Sequence, residues 1–183
     1  FSLPVQQAEV LPAGINELFR QAEPVSWQDK SIDVLYVGSL DQNKGMDRLL
    51  ALLPVLKDKK VVIAGSGPWL QQLQQAAQQF PNVLVVGPKD SVALKQLYSQ
   101  ARCFISLSRH EAFGLVMAEA MACYTPVIAT GTDGSAEQVI NGVNGLLVSQ
   151  QSEEAEVIQQ YQQALVAFFA QPAEQYQQMQ LNS

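Results

Sequence analysis

Charge, histidine and cysteine are all scarce in this chain. Lys and Arg number 11 against 17 Asp and Glu, leaving a formal net charge of -6. That balance argues against a nucleic acid or another long polyanion as partner. A small phosphorylated ligand stays open, because backbone dipoles and one or two cations can hold it against the global sign. The two cysteines, Cys103 and Cys123, lie in apolar segments without metal-type spacing. They read as buried free thiols of a reducing compartment, not as ligands or a disulfide framework. No apolar run is long enough to span a bilayer, and no signal-peptide pattern opens the chain. The sequence starts at Phe1, without an initiator Met, and reads as a piece of a larger cytoplasmic protein. Peripheral contact of the full protein with the inner face of a membrane stays open.

What is present is an ordinary globular composition, 48% hydrophobic over 183 residues, enough for one domain around one core. Short apolar, β-branched runs at 33–37, 61–64, 83–86, 103–107, 126–129 and 145–148 read as strands buried on both faces. Between them lie helical patterns at 46–56 and 69–80, another capped by Asp90 or Ser91, then 115–123 and 133–140. The helix at 115–123 is apolar nearly all round and should be buried. A lead-in of strand or linker, 1–31, precedes an α/β core over 32–150. C-terminal helices follow over 151–183, interrupted at Pro172, with a glutamine-rich tail. This alternation predicts an α/β fold, an open, doubly wound parallel sheet. Ligands of such sheets bind beyond the carboxyl ends of the strands, so the loops there carry the chemistry.

The loop after the first strand, Gly38-Ser39-Leu40-Asp41-Gln42-Asn43-Lys44-Gly45, sets a lysine at a helix N-terminus, where free N–H groups and the dipole favour anions. By these residues alone it reads as a polar turn with a surface lysine before it reads as an anion site. Gly65-Ser66-Gly67-Pro68 lacks the third glycine of a dinucleotide fingerprint, since Leu70 stands there, and it reads as a tight turn. The third loop leads into the most informative helix. Glu119 lies among Leu115, Val116, Met117, Ala118, Ala120, Met121 and Ala122, with no cation on the helix to accompany it. A carboxylate so placed needs a partner, and a ligand's hydroxyl groups would serve. Glu111 stands just before the helix. If both were helical, eight residues would separate the carboxylates by roughly 12 Å. Acid/base pairs in glycosidases sit at roughly 5 to 9.5 Å, so this pair suits gripping the two ends of an elongated ligand. Its phosphate-bearing middle would rest on the helix N-terminus. His110 reads as solvent-facing. The fourth loop, from Thr130 to Glu137, offers either a backbone approach to a ligand or a helix capped by Asp133 or Ser135.

Taken in order, these segments resemble the retaining glycosyltransferases of family 4, which have the GT-B fold. The resemblance runs from Val10-Leu11-Pro12-Ala13-Gly14-Ile15 through the Gly38–Gly45 and Gly65–Pro68 loops. It continues through Glu111-Ala112-Phe113-Gly114-Leu115-Val116 with Glu119 to Asn144-Gly145-Leu146-Leu147-Val148. It implies a C-terminal domain that binds a nucleoside-diphosphate sugar and needs no bound metal or other cofactor. An N-terminal domain, absent here, would supply the acceptor glycan or glycolipid. The resemblance makes Glu111 the candidate catalytic residue, contacting sugar hydroxyls, and gives Glu119 the ribose. Lys44 and backbone N–H groups of Phe113, Gly114 and Leu115 take the diphosphate beside Gly38 and Ser39, and Pro88 and Lys89 pack the base. Three positions depart from the pattern. Ser39 replaces a usual Arg, which leaves either Arg109 as a substitute cation or a weakly held donor. Tyr124 replaces a usual Gly, and Asp133-Gly134 replaces a Gly-Gly pair before Glu137. The alternative is a non-catalytic nucleotide- or anion-binding module for sensing or assembly.

Overall fold

The computed structural model describes residues 14–183. The start of the resemblance, Val10 to Ala13, lies outside the described residues. Six strands form one parallel sheet: β1 (Ile32–Val37), β2 (Val61–Ala64), β3 (Val83–Val85), β4 (Ala101–Ser106), β5 (Val127–Thr130) and β6 (Gly145–Val148). The order is β3-β2-β1-β4-β5-β6, with Val34 of β1 opposite both Val61 and Cys103. β2 and β5 are buried along their whole length, as continuous apolar runs predict for strands covered on both faces.

Helices α2 (Met46–Leu52), α3 (Leu70–Gln79), α7 (Glu154–Ala170) and α8 (Ala173–Leu181) contribute to the core on one face. Helices α1 (Glu17–Arg20), α4 (Ser91–Gln100) and α5 (Leu115–Ala122) contribute to the other, and α6 (Asp133–Gln138) packs against α5. The lead-in read as strand or linker therefore contains a helical turn. Asp90 caps α4 by accepting from the Ala93 N–H at 2.8 Å, as its sequence position implies. The pattern expected to run from 46 to 56 ends as a helix at Leu52, because Pro54 has no N–H to continue the ladder. Hydrogen-bonded turns carry the chain onward and still bury Leu53 and Leu56. The glutamine-rich tail is a helix as well. Trp27 lies against Phe168, Phe169 and Tyr176, with ring centroids 6.1, 6.0 and 4.2 Å away. The buried Gln180 donates to the Val25 carbonyl at 2.8 Å. Both cysteines are free and buried. Among the described residues, no helix is long and apolar enough to cross a membrane.

Two expectations fail locally. α5 is not buried all round: Leu115 is 46% exposed, since that side of the helix opens onto a groove. The cap of α6 is neither Asp133 nor Ser135 but Thr132, which exchanges hydrogen bonds with Ser135 in a capping box. At the end of α5, Tyr124 has a φ of 55°, where glycine is the unstrained residue. Tyr124→Gly is expected to raise stability by about 1 kcal/mol, with glycine's extra unfolded-state entropy offsetting part of the relief. Thermal denaturation checks this, with an expected rise in Tm of roughly 2–4 °C for a chain of this size.

Candidate functional site

The strand order reverses between β1 and β4, and this is where the sheet opens a crevice at its carboxyl edge. The β1–α2 loop and the β4–α5 loop diverge there. The cavity between them is about 450 Å³ and is lined by Tyr36, Gly38, Ser39, Lys44, Glu111, Phe113, Gly114, Leu115 and Val116, among others. An adjoining cavity of about 200 Å³ shares Gly38 and Ser39 and adds Ser66, Pro88 and Lys89. Every site residue expected from the sequence except Glu119 therefore lines one of two connected cavities. Glu119 lies one helical turn beyond Leu115 on the same face of α5.

Lys44 and Glu111, which both line the larger cavity, meet directly in an ion pair. Glu111 precedes α5 and is not helical, so the separation calculated for two helical carboxylates does not apply. The Tyr36 hydroxyl donates to the Ser39 carbonyl at 2.7 Å. Burial, then the nearby Asp41 and Glu111 charges, push the phenol far above its ordinary pKa, so it stays protonated. Gly114 opens α5 with a φ of 83°. A side chain there would strike the Met117 methyl at 2.3 Å and crowd Glu111 Cγ at 3.2 Å. This turn brings the first N–H groups of α5, unpaired within the helix, to the cavity floor. The N-terminus of α2 does not line the cavity. Lys44, just before that helix, does line it.

Glu119 has no cation within ion-pair distance among the described residues. Its Oε2 accepts from the Tyr98 hydroxyl at 3.0 Å. Burial raises its pKa above the ordinary carboxylate value, and the Tyr98 hydrogen bond offsets part of that shift.

Arg109 does not stand in for the arginine missing at Ser39. It donates to Asp47 at 2.9 and 2.7 Å and to Glu154 at 2.5 Å. Arg48, buried in α2, donates to Glu154 at 2.6 and 2.9 Å, to the Leu107 carbonyl at 3.0 Å and to Gln150 at 3.0 Å. Arg48's hydrogen bonds hold the Glu154 carboxyl below its usual range. Burial pushes the Asp47 carboxyl up, but Arg109 more than reverses this. The network ties the β1–α2, β4–α5 and β6–α7 loops together. The Arg109 N–H also donates to the Asn43 carbonyl at 2.7 Å, and Asn43 to the His110 carbonyl at 3.1 Å. Sequence reading missed Arg48, Asp47, Gln150 and Glu154. Arg48 did leave a signal, a cation inside a stripe of leucines.

The Gly65-Ser66-Gly67 turn is tightly packed, and its Gly65 and Ser66 line the smaller cavity. A Cβ on Gly65 would lie 1.9 Å from the Gly38 carbonyl oxygen, so the glycine lets two loops pack. In the fourth loop, the Gly134 N–H donates to the Glu111 carbonyl at 2.9 Å and steadies the loop that carries that carboxylate. His110 is exposed, as its sequence context suggests. It lines a further cavity of about 390 Å³ with Arg109, Asp133 and Gln150, which shares Glu111 and Ala112 with the larger one.

The sequence model of the family described as glycosyl transferases group 1 matches residues 19–166. An uncharacterized glycosyltransferase of Methanocaldococcus jannaschii is 31% identical over 165 residues, covering 81% of this chain and 42% of that protein. The chain thus spans less than half of that relative's length. The solved C-terminal domain of a group 1 glycosyl transferase from Francisella tularensis superposes with a TM-score of 0.72 at 24% identity, covering 93% of this chain and 94% of that one. The pneumococcal O-GlcNAc transferase GtfA, solved with UDP and GlcNAc, gives a TM-score of 0.74 at 23% identity, covering 87% of this chain and 33% of that one. Both likenesses establish the Rossmann-like fold of a GT-B C-terminal domain.

The geometry of Gly114 is directly testable. Gly114→Ala is expected to destabilise the fold by about 1–2 kcal/mol through left-handed strain alone. Displacement of Met117 and Glu111 adds to that, and chemical denaturation measures the total.

Proposed function

The chain belongs to the glycosyl transferases group 1 family, and within it we propose that this domain binds the nucleoside-diphosphate sugar donor of a retaining glycosyltransferase. The acceptor is a sugar, polysaccharide or lipid-linked glycan carried by an N-terminal domain of the full protein. The reading is carried by one arrangement: Lys44, Glu111 and the α5 N-terminus converge on the switch-point cavity, with Glu119 one turn along the same helix. Lys44 and the helix dipole face the diphosphate, Glu111 the sugar hydroxyls, and Glu119 the ribose. Pro88 and Lys89, in the adjoining cavity, flank the base. The two buried free thiols support a reducing, cytoplasmic setting.

The free domain holds Lys44 against Glu111, so donor binding exchanges one ion pair for two contacts. The diphosphate draws the ammonium, and sugar hydroxyls take the carboxylate. The exchange leaves the diphosphate undercompensated. It carries about two charges, against one lysine and the half-charge of a helix end. Arg109 cannot contribute while Asp47 and Glu154 hold it. The reading assigns charge compensation to these groups and not to a metal.

Calorimetric titration of this chain with UDP, GDP and ADP sugars tests the assignment. One of them is expected to bind, and a folded domain that binds none contradicts it. Glu119→Ala removes charge-assisted hydrogen bonds worth about 1.5–3 kcal/mol each, so nucleotide affinity is expected to fall roughly tenfold to a hundredfold. Ser39→Arg adds the missing cation and is expected to tighten diphosphate binding by about tenfold, a single charge-assisted hydrogen bond.

A further inference from the structure

Outside the cavities, the group in the molecule with the least expected partner is the Glu119 carboxylate. α5 carries no other ionisable side chain, and Met117, Ala118 and Ala120 around Glu119 are buried. The hydroxyl that reaches it belongs to Tyr98, a fully buried residue on the neighbouring helix α4. Tyr98 is fixed from several sides. Phe19 and Phe104 meet its ring edge-on, with centroids at 5.8 and 5.9 Å, and its carbonyl accepts from the Thr125 hydroxyl at 2.6 Å. The hydroxyl therefore has a fixed position and spends its one proton on Oε2 of Glu119.

We infer that Tyr98 is a positioning residue for nucleotide binding, holding Glu119 by one carboxylate oxygen so that the other is presented to the ligand's hydroxyl groups. The inference rests on the ribose role proposed for Glu119. A carboxylate has about four lone-pair sites on two oxygens, so accepting from Tyr98 leaves Oε1 open. A glutamate side chain has three rotatable bonds, and one anchored oxygen limits how far it wanders between ligands.

The same contact gives a pH signature. Burial raises the Glu119 pKa and the Tyr98 hydroxyl pulls it back down, which keeps the carboxylate ionised to lower pH than burial alone would allow. Other groups around it do not supply that effect. Cys123, one turn along α5, is a thiol whose own pKa burial pushes up to about 11. Lys95 of α4 is turned to the Gln21 carbonyl at 3.0 Å. Glu17 and Arg20 of α1, and Asp133 and Glu137 of α6, are exposed. On the strand side, Arg102 of β4 pairs with Asp33. Removing the Tyr98 hydroxyl therefore moves the Glu119 pKa upward. Nucleotide binding, which needs the ionised form, is then lost at a higher pH.

The test titrates the 183-residue chain with UDP, GDP and ADP in turn across the acidic range, as wild type, Tyr98→Phe and Glu119→Gln. Circular dichroism and melting confirm that each is folded. Tyr98→Phe is expected to weaken the preferred nucleotide roughly tenfold near neutrality, the worth of one hydrogen bond to a charged group. It is also expected to shift the acid limb of binding to higher pH, a change that loosened packing alone would not produce. If Glu119→Gln weakens binding while Tyr98→Phe leaves affinity and acid limb unchanged, the positioning role is overturned and the ribose role stands. If Glu119→Gln has no effect, the ribose role falls and takes this inference with it. Should Tyr98→Phe fail to fold, NMR of ring-labelled tyrosine in the unmutated chain decides. The Tyr98 resonance must titrate with the midpoint at which nucleotide binding fails, and a resonance indifferent to that midpoint overturns the proposal.

Discussion

An ionisable side chain on an otherwise apolar helix is the constraint from which the rest of this domain can be read. Glu119 is placed where burial disfavours its charge, and among the described residues no lysine or arginine compensates it. One phenolic hydrogen bond is a small return for that position. A residue chosen for packing alone would be apolar here, as Met117, Ala118 and Ala120 are. The domain tolerates the carboxylate because it is half-buried, not sealed, one helical turn beyond the cavity-lining Leu115.

The second organising feature is how the cavity is held open. Part of its wall is loop, and loops are mobile unless tied down. The tie is the cluster of Arg48, Arg109, Asp47, Gln150 and Glu154, with the buried Arg48 at its centre. Isolated surface ion pairs contribute little, but a network around a buried guanidinium with bidentate geometry fixes direction as well as distance. Three loops from three strand ends are thereby held in register, and the Lys44–Glu111 pair links two of them. The binding groups are thus largely pre-arranged, and the free domain keeps Lys44 matched to a carboxylate.

Much of this was legible in the sequence. Six apolar runs without alternation identified a parallel sheet covered on both sides, and two of them, 61–64 and 145–148, match the observed strands residue for residue. Of the ten expected site residues, nine line the two cavities beyond the carboxyl ends of the strands, where the topology opens a crevice. What stayed hidden were pairings between residues far apart in the chain. Arg109 reaches Asp47 across 62 positions and Glu154 across 45, and Lys44 reaches Glu111 across 67. No local pattern announces such a partner, which is why Arg109 read as a free cation. The Tyr98 contact was hidden for the same reason, since nothing in α4 announces a partner 21 positions away. A helix end was misjudged where Pro54 overrode the periodicity in α2, and the cap of α6 was misjudged because Thr132, not Asp133 or Ser135, fills it.

The most direct measurement is a crystal structure of this chain soaked with UDP, GDP and ADP in parallel. The account predicts a nucleotide along the β1–β4 crevice, its ribose hydroxyls within hydrogen-bond reach of the Glu119 oxygen that Tyr98 leaves free, and its diphosphate on Lys44 and the α5 N-terminus. A nucleotide bound elsewhere, or one in the crevice with Glu119 turned away to a protein cation, contradicts it.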